Sequence, residues 1–151
     1  MGTIRAEARH VIAAPPAVVY ACLADFSHHE KFLPPAFSNF EVVSGGTGAG
    51  TVARFTVTAG GRSRNYEMEV SEPEPGRVLV ETDKSSSLVT TFTVDADGAG
   101  ARVTISTTWQ SAASGIGGFF EKRFAPLAMA KIYQDELRRL DAYATQQAAS
   151  A

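Results

Sequence analysis

The sequence predicts an α+β protein: one strand, two short helices, six more strands and a long C-terminal helix. Three observations carry this. Apolar and polar residues alternate from Thr51 to Trp109, as in half-buried strands. The runs are separated by PEPG, KSSS and DADGAG, all turn chemistry. From Ile116 onward the apolar positions step by three or four residues, as on one stripe of an α-helix. A curved antiparallel sheet buries its apolar face only against another element, and the C-terminal helix is the one of adequate length.

The elements follow in order. Ile4, Ala6, Ala8, His10 and Ile12 alternate with Arg5, Glu7 and Arg9, which makes Thr3 to Ile12 a strand. Pro15 and Pro16 end it and open a short helix over Ala17 to Ala24. HHEKFLPP adds a second helical turn before Pro34 and Pro35 stop it. Phe40 to Val43 is the second strand, and the runs around Phe55, Tyr66, GRVLVET, LVTTFTV and RVTISTTW complete seven. Pro126 is expected to kink the final helix, and residues 146–151 to fray. No repeat or linker interrupts the chain, so residues 1–151 are expected to form one domain.

Composition narrows the function. Fourteen basic and sixteen acidic side chains leave a net charge of −2, without the basic stripe that nucleic acid requires. No apolar run is long enough to span a bilayer, and MGTIRAEARH lacks a signal peptide's apolar core, so the expectation is a soluble cytoplasmic protein. Cys22 is the single cysteine; it lies on the apolar face of its helix and is expected to be a buried thiol.

SGGTGAGT, at Ser44 to Thr51, invites a phosphate-loop reading. A phosphate loop opens a helix, whereas this one runs into the strand TVARFTV and has no lysine after its last glycine. It is expected to be a hairpin. His28, His29 and Glu30 diverge too far on a helix to chelate one ion and have no third cluster, so no metal is expected and the three are placed at a solvated surface or a cavity mouth. The glycines at 115, 117 and 118 fit either a hinge or a plain turn. The chain has no nucleophile motif such as GxSxG.

The segment VIAAPPAVVYACLADFSHHEKFLP resembles the opening of the START-like superfamily (SRPBCC), also called Bet v 1-like or polyketide cyclase/dehydrase-like. The residues that carry the resemblance are Ile12-Ala13-Ala14-Pro15, Tyr20, Asp25 and Phe32, with the glycine-rich link, PEPGRVLV and the final helix; GGFFEKRFAPLAMAKI suits the bacterial cyclase-like branch. The resemblance implies a helix-grip fold, a seven-stranded curved sheet around the C-terminal helix. It also implies a cavity between them for a small hydrophobic or aromatic molecule such as a lipid or polyketide.

Pointing each strand's apolar face inward gives a candidate lining of Phe32, Phe55, Tyr66, Met68, Thr90, Phe92, Trp109, Phe120, Phe124 and Leu127. Arg64 shares a face with Tyr66 and is expected to lie in solvent at the strand end. His10 and Tyr66 are the candidate acid/base residues should the cavity be catalytic. The leading expectation is a carrier without a cofactor. The alternatives are a polyketide aromatase/cyclase or dehydratase using the same cavity, and a module that presents a sheet edge or the long helix to a protein. Oligomeric state is left open between monomer and homodimer.

Overall fold

The computed structural model describes residues 2–111 and 115–150, the side chain of Phe120 excepted. Strand β1 (Thr3–Ile12) leads into helix α1 (Pro16–Ala24) and a 3-10 turn (His29–Phe32). The strands β2 (Phe37–Ser44), β3 (Val52–Ala59), β4 (Arg62–Glu74), β5 (Val78–Asp83), β6 (Val89–Asp97) and β7 (Gly100–Gln110) follow, and helix α2 (Gly115–Ser150) closes the chain. All neighbouring strands are antiparallel, in the order β1-β7-β6-β5-β4-β3-β2. This is the helix-grip fold, a seven-stranded curved sheet holding a long C-terminal helix.

Proline opens α1 because its missing N–H is unneeded in a first turn and its φ suits the helix. Val19, Leu23 and Phe26 from this segment join Ile12, Leu79, Val103, Ile105, Leu137 and Leu140 in the main core. Cys22 is buried there, and burial pushes its thiol up. Pro126 lies inside α2, and the segment expected to fray from Gln146 is helical through Ser150. Among the described residues, no helix is long and apolar enough to cross a membrane.

The glycine loop joins β2 to β3, as a hairpin must, with Gly45, Gly48 and Gly50 at φ of 71°, 63° and 91°. It folds back over the end of α1. The Phe26 amide donates to the Gly46 carbonyl and the Gly48 amide to the Ala24 carbonyl, both at 2.9 Å. The Ala49 amide donates to Glu72 Oε2 at 2.9 Å, and Tyr20 Oη donates to the other oxygen of that carboxylate at 2.7 Å. The amides of Gly46 and Gly50 are also spent, on Thr51 Oγ1 and the Val70 carbonyl. With these donors turned inward, the loop is a clasp rather than a phosphate cradle.

Candidate functional site

A cavity of about 30 Å³ lies between the sheet and α2. That is space for roughly two water molecules. Phe55, Tyr66, Met68, Thr90 and Phe92 all line it, as their strand alternation predicts. Met129, Tyr133 and Glu136 project into it from α2, and His29 and Leu33 border it from the 3-10 turn and its end. A wider open groove of about 340 Å³ lies on the surface where Val18 and Cys22 of α1 face Tyr143 of α2.

Four of the expected lining residues are not among those that border the cavity. Phe32 is buried one layer behind, with its ring 4.5 Å from that of His29 and 5.9 Å from that of Tyr143. Trp109 packs on the same apolar clusters, but its Nε1–H is directed away to Glu121 Oε2 at 2.9 Å. Phe124 and Leu127 face solvent, 50% and 56% exposed. Their misplacement has a helical cause: each step of three residues turns ~60° short of a full circle, so three such steps back from Tyr133 put Phe124 on the opposite face. Phe120 lies outside the described side chains.

The acid/base candidates separate too. Tyr66 borders the cavity, where burial raises its hydroxyl and the nearby Arg64 guanidinium opposes that rise. Arg64 is itself exposed. His10 lies outside the cavity, with Nε2 3.1 Å from Asp141 Oδ2 across the β1–α2 contact. It shares its strand face with Ala6, Ala8 and Ile12, which are buried, while its own side chain is 31% exposed.

Of the two placements expected for His29, a solvated surface or the cavity mouth, the structure gives the cavity border. His29 is 2% exposed rather than solvated, stacked on Phe26 at 4.6 Å with 6° between the rings, and bordered by Phe32, Phe40 and Phe92. Its Nδ1 is 3.2 Å from the Leu23 carbonyl, which only accepts, so Nδ1 carries the proton. Burial pulls the imidazole down to about 4, so the ring is neutral at pH 7. Nε2 is thus left as an acceptor.

The polar part of the cavity is a row across the sheet. Glu81 on β5 stands opposite Thr90 on β6, and Thr90 opposite Thr107 on β7. The two threonine hydroxyls are 2.7 Å apart, and Thr107 is also bonded to the Tyr133 hydroxyl of α2. Glu81 and Glu136 are 6% and 2% exposed. Burial pushes Glu81 up to about 8, and burial together with the charge of Glu81 holds Glu136 well above the carboxylate range. No hydrogen-bond donor among the described residues reaches either carboxyl. No buried side-chain oxygen or nitrogen there is sealed off without a partner, so these oxygens face the cavity space. Neither acid is among the residues that strand alternation selects. Among the described residues no group of three or more His, Cys, Asp or Glu is placed to hold a metal ion.

A curved sheet, a gripping helix and a partly open, mostly apolar chamber define a protein of the hydrophobic-ligand-binding helix-grip class. The chain belongs to the family described as "Polyketide cyclase / dehydrase and lipid transport", whose pattern matches residues 3–145. Its fold is similar to that of the KanY protein solved by NMR, at 36% identity and a TM-score of 0.85, covering 96% of this chain and 99% of that one. It is similar also to the Zhui aromatase/cyclase from Streptomyces sp. R1128, at 15% identity and a TM-score of 0.74, covering 97% and 96%. A third likeness is to the protein TTHA0849 from Thermus thermophilus, at 23% identity and a TM-score of 0.77, covering 97% and 99%. No curated protein matches the chain.

Proposed function

We propose that the protein binds a small hydrophobic or aromatic molecule, such as a lipid or polyketide, between its sheet and α2. The observation that carries this reading is the partly open chamber walled by Phe55, Val57, Met68, Leu88 and Phe92. Burying an apolar guest there recovers roughly 25 cal/mol for each Å² removed from water. The chamber at rest is small, so a guest displaces side chains as it enters. Met68 and Met129, unbranched and polarizable, are the wall elements best able to move.

The test is calorimetric titration with 2-naphthylmethanol, a neutral aromatic probe, against the wild type and Val57→Trp, in which an indole fills the chamber. Saturable binding that the filled variant loses supports the reading. No binding by the wild type, or equal binding by both proteins, overturns it.

A second reading is catalysis in the same chamber, by cyclisation or dehydration of a polyketone. His29 favours it: a neutral imidazole held by the Leu23 carbonyl, with Nε2 free to take a proton from a bound carbon acid. Conversion of a synthetic polyketone with loss of water, abolished in His29→Gln while 2-naphthylmethanol still binds, distinguishes an enzyme from a carrier.

A further inference from the structure

Glu81 and Glu136 are harder to explain than the rest of the chamber. Buried carboxyls in folded proteins are nearly always paired or hydrogen-bonded, because an unpaired one forfeits its hydration. Here one acid projects from β5 and the other from α2 toward the same space, and no donor among the described residues answers either of them.

The other polar atoms around the chamber sharpen the question. The Thr90, Thr107 and Tyr133 hydroxyls are occupied with one another. The one N–H of His29 is spent on Leu23, which leaves Nε2 as a further acceptor. No lysine or arginine lines the chamber among the described residues; Arg64, the cation near Tyr66, is exposed. The wall therefore offers acceptors and acids and lacks a positive charge. A guest that supplies several N–H donors and a charge complements it, whereas a carboxylate or phosphate guest would give up its hydration and find no cation to pair with.

Resting on the binding reading above, we propose that Glu81 and Glu136 form an amine-binding point, so that the guest selected here is an apolar molecule bearing a protonated basic nitrogen. Burial raises both acids, Glu81 to about 8, so Glu81 is mostly protonated at pH 6 in the empty chamber. An ammonium group entering there draws one of them into its charged form, and a proton leaves to solvent. The other titratable groups around them do not supply that proton. His29 is already neutral, Tyr66 and Tyr133 are both raised by burial, and the Asp83 carboxyl is held by Ser86 Oγ at 2.6 Å and the Glu67 amide at 3.1 Å.

The experiment compares three probes of nearly one shape: 2-naphthylmethylamine, 2-naphthylmethanol and 2-naphthoate. Titration calorimetry at pH 6 in two buffers of different ionisation enthalpy gives affinity and proton release together. The amine is expected to bind about tenfold or more tighter than the alcohol, with the naphthoate weakest. About one proton should be released per amine bound and none per alcohol, as linkage of binding to carboxyl ionisation requires. Glu81→Gln and Glu136→Gln keep the shape of the chamber and should lower amine affinity by a larger factor than alcohol affinity. If the alcohol binds as well as the amine, or the glutamine variants bind the amine as the wild type does, the amine point is wrong and the binding reading stands. If none of the three probes binds, both fall.

Discussion

Thr90 and Thr107 stand opposite each other on β6 and β7 with their hydroxyl oxygens 2.7 Å apart, both buried beneath α2. Thr107 also meets the Tyr133 hydroxyl, so one side chain ties two strands to the long helix. Thr107→Val keeps the volume and leaves two buried hydroxyls without that partner, and losing a buried hydrogen-bond partner costs about 1–3 kcal/mol. Thermal unfolding should show a clearly lower Tm. Tyr133→Phe removes only the outer link and should cost less, about 1 kcal/mol. Equal losses in the two variants would contradict a central role for Thr107.

His29 makes stability depend on pH on the acid side. Its imidazole titrates at about 4 when folded, against an ordinary value of 6.5. The unfolded chain therefore binds the extra proton more readily between those values. Stability is fully present above 6.5 and is lost as the pH falls toward 4, by roughly 3 kcal/mol for this shift. His29→Phe removes the titrating ring while keeping the aromatic stack on Phe26. Its melting temperature should fall less steeply than that of the wild type from pH 6.5 to 4. Parallel curves would place the acid sensitivity elsewhere.

Glu81 acts with the opposite sign. Its carboxyl titrates at about 8 when folded, above the ordinary 4.5, so the folded chain holds the proton longer. Its contribution is intact below 4.5 and is eroded as the pH rises toward 8. Glu136 is raised likewise. Glu81→Gln and Glu136→Gln should each melt higher than the wild type at pH 8–9 and close to it at pH 5. A glutamine variant less stable than the wild type at high pH would show that the charged carboxyl has a stabilising partner.

What the sequence made legible follows from how each residue's direction is set. Thr90, Phe92, Tyr66 and Met68 border the chamber because a strand's period of two fixes their face once one neighbour is known. GRVLVET is different. Val78 and Val80 are apolar on one phase and Leu79 on the other, so alternation alone does not say which side is inward, and Glu81 shares the phase of Leu79. Only the pairing of Glu81 with Thr90 decides it. His29 stays open between surface and cavity mouth for a related reason: HHEK reads as a polar turn, and it is the surrounding rings of Phe26, Phe32, Phe40 and Phe92 that draw one of its two histidines inward. On α2 a run of three-residue steps resembles one stripe, yet its phase drifts through half a turn before reaching Phe124.

The glycine clasp gives a test that separates steric contact from backbone preference. Gly48 and Gly50 both have positive φ, at 63° and 91°, where an alanine is strained by about 1 kcal/mol or more. A Cβ on Gly50 would meet no atom within 4 Å. A Cβ on Gly48 would lie 2.5 Å from Glu72 Oε2, the oxygen that accepts the Ala49 amide. Relief requires that carboxylate to move, and Tyr20 holds its other oxygen. Gly48→Ala should therefore destabilise more than Gly50→Ala, by about 1 kcal/mol, the usual worth of one hydrogen bond. In a Glu72→Ala background the obstructing atoms are gone, and the two alanine variants should cost the same. Urea unfolding of both alanine variants in the two backgrounds checks this, and a difference that survives without Glu72 would remove the clash as its cause.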